Sequence, residues 1–124
     1  MTVVVKQVGD QPIVVATLYE PIDMAVDPQK NRDECNAIAR KFKSKVYRII
    51  DFTHFELTFD QLTIGLAEDI RLSEPNIVLL IVGNGDLIEL QRDATKQAQY
   101  GGREAFVFNS VDDALAFANQ QLHG

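Results

Sequence analysis

Residues 46–66, VYRIIDFTHFELTFDQLTIGL, decide the fold. From Val46 to Phe52 the run is mostly β-branched and aromatic, too short for a free-standing helix and suited to a pleated, buried surface. It reads as a strand. Thr58 then offers a hydroxyl to the free amides of a new helix, and Gln61, three residues on, can reach back to the Thr58 amide in a capping box. Phe59, Leu62, Leu66 and Ile70 recur at helical spacing as a stripe that must be buried, with Glu68, Asp69 and Arg71 expected on the wet side. A buried strand that turns directly into a helix lying on the sheet is the repeating unit of an α/β domain.

The flanking sequence extends the same pattern. Downstream, Ile77–Val82 is six apolar residues without alternation, which predicts a strand covered on both faces. Gly83-Asn84-Gly85 turns the chain, and Asp86 with Glu89 forms a second cap signature for a helix carrying Leu87, Leu90, Ala94 and Ala98. Ala105–Phe108 reads as a last short strand, and Ser110 caps a final helix with Val111, Ala114, Leu115, Ala118 and Leu122 facing inward. Upstream, Val3–Val8 and Ile13–Tyr19 flank Gly9-Asp10, a dipeptide that tolerates the positive φ of a tight hairpin, so this pair should be antiparallel. Pro12 suits the first position of the second strand or an edge. Asp27-Pro28 reads as a capped helix start, followed by the stripe Cys35, Ile38, Ala39 and Phe42. That helix ends in the basic run ARKFKSK, whose cations would favour a helix C-terminus.

The expected fold is therefore α/β: a mixed five-stranded sheet, made of an antiparallel N-terminal hairpin and then parallel βα units, with about four helices. At 124 residues the chain suits a single domain spanning 1–124, long enough to bury one ordinary core. Twelve basic against eighteen acidic residues give a net charge of −6, which repels a phosphate backbone and argues against nucleic acid as a partner. No run reaches the roughly 18 apolar residues of a membrane span, and MTVVVKQVG lacks the basic start and small-residue cleavage site of a secretory signal. Cys35 is the single cysteine, which excludes an intramolecular disulfide; the expected compartment is cytoplasmic, and the expected role of the thiol is inert packing.

The order of elements, and the motifs VYRIIDF, LTFDQLTIGLAEDIR, NIVLLIVGNGDLIEL and FVFNSVDDALAFA in that sequence, resemble the STAS-like (SpoIIAA-like) superfamily. That superfamily includes the anti-sigma-factor antagonists and a STAS/SEC14-like group of small bacterial proteins. The likeness runs from about Ile13 to Leu122. In the antagonists a strand ending in aspartate leads to an Asp-Ser-Ser-Gly type of turn whose serine is phosphorylated by a partner kinase. Asp51 matches the strand end, but the helix opening here reads Leu57-Thr58-Phe59-Asp60-Gln61, with no serine and no glycine. The phosphoserine switch is therefore not expected. Thr58 is the only hydroxyl available as a phosphoacceptor, and Asp60 could mimic charge there.

In parallel sheets ligands sit beyond the carboxyl ends of the strands. Those ends would supply Glu20, Asp23, Asp51, Thr53, His54, Glu56, Asn84, Asp86, Asn109 and Ser110. Asp86 and Ser110 double as helix caps, as does Thr58 nearby, and loops are polar in any protein. His54 between Asp51 and Glu56 would make an acid/base group or a metal ligand, yet one histidine among scattered carboxylates has no ligand spacing and no nucleophile beside it. Gly83-Asn84-Gly85 lacks the third glycine of a dinucleotide fingerprint and the lysine of a nucleotide loop. No cofactor, no metal and no catalytic set is expected. The sequence thus points to a non-enzymatic STAS-like interaction or regulatory module acting through Asp51, Thr53, His54, Glu56, Thr58, Asp60, Asn84 and Asp86, with a small apolar-ligand or lipid-binding protein of the SEC14-like type as the alternative. A homodimer is expected on the ground that sequential crossovers would collect the helices on one face of the sheet and leave the other bare.

Overall fold

Strands β1 (Val3–Gln7) and β2 (Ile13–Leu18) pair antiparallel, Val3 opposite Leu18 and Gln7 opposite Val14. In the turn between them Gly9 takes a φ of 55°, a left-handed conformation that costs a residue without a Cβ little. The Val8 amide donates to the Ile13 carbonyl at 2.9 Å and closes the turn. Pro12 stands one residue ahead of β2, where its carbonyl accepts from the Tyr47 amide at 2.9 Å and no ladder donor is demanded of it.

Three parallel strands follow, β3 (Val46–Asp51), β4 (Ile77–Val82) and β5 (Ala105–Phe108), and the sheet order is the chain order, β1 to β5. The computed structural model describes residues 3–23, 25–54, 68–83 and 105–123. Every residue of β3 is buried, and in β4 only Val78 is not, as a continuous apolar run predicts for strands covered on both faces. The fold is the expected α/β class with a mixed five-stranded sheet. Three helices appear among the described residues: α1 (Asp27–Ala39), α2 (residues 68–72) and α3 (Val111–His123). The helix expected over 86–98 and the capping box at Thr58 lie outside the described residues.

The strand period of two sorts the core onto two faces. On one, Val14, Ala16, Val46 and Ile77 pack against Cys35 and Ala39 of α1, and Leu18, Ile50, Leu79 and Ile81 pack against Ile70 of α2. On the other, Tyr47, Ile49, Leu80 and Val82 pack against Ala114 and Ala118 of α3. Each fully buried Ile or Leu is worth about 1.5–3 kcal/mol, so both faces stabilise the sheet. The expectation that the helices share one face is thus corrected. The last helix has no following strand to reach, so no crossover rule holds it to the side of α1, and it covers β3 to β5 from opposite that side.

Other expectations are corrected in detail. Asp27 is the first helical residue of α1 and not its cap; Val26 holds the cap position without a side-chain bond, and Asp27 Oδ2 accepts from the Asp23 amide at 2.8 Å. The basic run lies beyond the end of α1, whose last turn carries no cation. The Asn76 side chain serves that end instead, its Nδ2 donating to the carbonyls of Ala39, Phe42 and Ser44 at 3.1, 3.2 and 3.0 Å. Asn36 answers from α1, donating to the Leu72 carbonyl at 3.1 Å and accepting from the Glu74 amide at 2.9 Å. These two asparagines tie α1 to the turn that leads into β4. Ser110 caps α3 as expected, its Oγ accepting from the Asp113 amide at 3.1 Å.

Candidate functional site

The carboxyl ends of β2, β3, β4 and β5 lie at one end of the sheet, and Asp51 closes β3 there with Thr17 of β2 and Val82 of β4 as its neighbours. Asp51 is 4% exposed. Its Oδ1 accepts from the Thr53 amide at 2.9 Å and from Thr53 Oγ1 at 2.6 Å, a local turn in which the aspartate side chain replaces a backbone partner. Its Oδ2 lies 3.5 Å from His54 Nε2. The His54 ring stacks on Tyr19, with centroids 4.8 Å apart and planes inclined by 28°. Tyr19 is 39% exposed and the His54 side chain 47%, so the pair faces solvent while its carboxylate anchor does not.

The neighbouring exits are held by backbone bonds, Phe52 N–H to the Val82 carbonyl at 2.8 Å and Gly83 N–H to the Phe108 carbonyl at 3.1 Å. Glu20, Asp23 and Asn109 are exposed, and Asp23 Oδ1 accepts from the Ala25 amide at 3.0 Å in a turn of its own. Of the residues singled out from the sequence, the structure brings Asp51, Thr53 and His54 together. Glu56, Thr58, Asp60, Asn84 and Asp86 lie outside the described residues. An Asp–His pair can relay a proton, but the described residues supply no hydroxyl or thiol nucleophile aimed at the imidazole, and among them no group of three metal-ligating side chains gathers.

Cys35 is fully buried on the α1 face and donates to Asn31 Oδ1 at 3.4 Å. Burial pushes its thiol pKa up; the Arg48 guanidinium opposes this in part and the Asp69 carboxylate adds to it. It is a packing residue, not a nucleophile.

What sequence reading missed is a buried charge. Arg48, in the middle of β3, is fully buried and donates from Nη1 and Nη2 to the two carboxylate oxygens of Asp69, at 2.5 and 2.9 Å. Ser73 Oγ accepts from Nη1 at 3.1 Å and donates to the Asp69 carbonyl at 2.6 Å. Burial would lower the guanidinium pKa, but the Asp69 carboxylate outweighs it and holds Arg48 above its ordinary value. Asp69 therefore corrects the expectation of a solvated face: only Glu68, Arg71 and Leu72 of α2 are exposed. The signal was present, because Asp69 falls three residues after Leu66 and Ser73 three after Ile70, both within the stripe that must be buried.

Fold and site define an α/β domain with a mixed sheet and a polar, partly aromatic strand-exit rim. No match was found to any protein-family model, curated protein or solved structure. Among the described residues no helix is long and apolar enough to cross a membrane.

Proposed function

We propose that this chain is a non-enzymatic interaction and regulatory module of STAS-like type, that the rim formed by Tyr19, Asp51, Thr53 and His54 is part of its contact surface, and that it acts in the cytoplasm on a protein partner. The observation that carries this is the division of labour at Asp51. One carboxylate oxygen is spent on the Thr53 turn, and the other faces an imidazole that is stacked on a tyrosine. The result is a preorganised aromatic and polar platform on a rigid strand end, and exposed, held aromatic side chains are favoured anchors of protein interfaces. A carboxylate so occupied suits positioning better than chemistry.

Self-association is the second part of the proposal. The α3 helix packs over β3, β4 and β5, while on that same face β1 and β2 carry Val4, Val15 and Thr17 half-buried beside the exposed Lys6. A second copy laid on this half would complete its burial. Sedimentation at micromolar concentration tests this: a mass of two chains is expected, and a mass of one chain removes the dimer.

The contact surface is tested with Tyr19→Ala and His54→Ala, both at solvent-facing positions where the thermal midpoint should stay near that of the wild type. A protein crosslinked to the wild-type chain in its native host should be lost from both variants. The same crosslinked set in all three chains would overturn the assignment of the rim.

A further inference from the structure

At the opposite end of the sheet from Asp51, a cleft of about 300 Å³ opens between the amino-terminal ends of β3, β4 and β5 and the last turns of α3. We propose that it binds a small aromatic monoanion, a one- or two-ring carboxylate. Nothing in this assignment rests on the rim.

Its walls are Tyr47, Val78, Phe106 and Phe117, and its two polar rim groups are Lys45 and Gln121. Phe106 and Phe117 are half-buried and stand 4.9 Å apart, inclined by 37°, so an inserted ring meets aromatic faces and edges together. Size sets the class of ligand. Pockets for small molecules run from about 300 to 1,000 Å³, and this one lies at the lower bound, which suits one or two rings and is too small for a two-chain lipid.

Charge sets the head group. The chain carries a net charge of −6, yet Arg40, Lys41, Lys43 and Lys45 crowd into six residues at this end. They lie beyond the last turn of α1, which carries no cation, and Asn76 already holds the Ala39 carbonyl that closes the helix. Arg40 pairs with Glu74 at 2.6 Å, whereas Lys41, Lys43 and Lys45 are exposed and form no ion pair among the described residues. Lys45 alone of these lines the cleft. One ammonium and one side-chain amide match a carboxylate; a phosphate dianion would call for more donors.

The test is a titration of ¹⁵N-labelled protein with 2-naphthoate and with its neutral counterpart 2-naphthamide. Naphthoate should shift the amides of Val78, Phe106 and Phe117, and naphthamide should bind about tenfold more weakly, the worth of one charged hydrogen bond. Lys45→Gln should bring the two ligands to equal affinity. Gln121→Trp, at an exposed position over the cleft, should weaken both. Urea midpoints near that of the wild type show that both variants are folded. No shift at millimolar naphthoate, shifts confined to other surfaces, or equal affinity for acid and amide would each overturn the proposal.

Discussion

Arg48 in the central strand is joined to Asp69 of α2 by two parallel hydrogen bonds, and the guanidinium has no exposure to solvent. Such a pair offsets its own desolvation only while both halves are present. Asp69→Leu should therefore cost about 3–5 kcal/mol, because a buried cation is left unpaired. The double variant Arg48→Met, Asp69→Leu should recover most of that loss. Urea denaturation of the single and double variants decides it; a double variant no more stable than Asp69→Leu would show that the pair is not self-contained.

Cys35 makes stability fall in alkali. Its thiol pKa is raised in the folded state above an ordinary value of 9.0, so the folded chain holds this proton more tightly than the unfolded chain does. The stabilising contribution is whole below that value and is lost as pH climbs through and beyond it, at up to about 1.4 kcal/mol per pH unit. Thermal midpoints measured from pH 8 to 10 should drop less in Cys35→Ala than in the wild type. Equal slopes would mean that some other group sets the alkaline limit. The native thiol should also resist a disulfide reagent until the chain unfolds.

Asn76 holds three carbonyl oxygens, that of Ala39 at the end of α1 and those of Phe42 and Ser44 in the loop beyond it. Asn76→Ala should cost about 1–3 kcal/mol by removing the donor that ties these carbonyls to the start of β4. Asn76→Asp should cost more, since a carboxylate would face the same three oxygens. Denaturant midpoints rank the two, and an aspartate variant as stable as the wild type would refute the clamp.

Asp51 organises the rim. Asp51→Ala should cost about 1–3 kcal/mol by freeing the two Thr53 donors. It should also loosen His54 from Tyr19. The ring-current shift of the His54 protons reports the stacking; if it persists unchanged in Asp51→Ala, the tyrosine alone positions the imidazole.

The β-branched run at 46–52, the unalternating apolar run at 77–82 and the glycine turn between β1 and β2 each force a local choice, and the structure makes each choice the sequence implies. Ser110 was legible for the same reason, since a cap acts within one turn of its own residue. Asp27 was not. Its residue type fits a cap, but the carboxylate turns back to the Asp23 amide, a partner chosen by the path of the preceding loop. At the rim, the residue types at Asp51, Thr53 and His54 announced a polar turn, while the ring of Tyr19 comes from a different strand end and carried no sign of it.

By itself, then, the sequence determined the class of fold, the pairing of the first hairpin and the inward side of most elements, because propensity, periodicity and turn chemistry act over a few residues. Only the tertiary structure decided which face α3 covers, that Arg48 finds Asp69 across 21 residues, and that Lys45 and Gln121 meet over an aromatic cleft. Those outcomes depend on where a chain returns in space. That is set by the balance of buried area and buried charge over the whole molecule, and no window of sequence contains it.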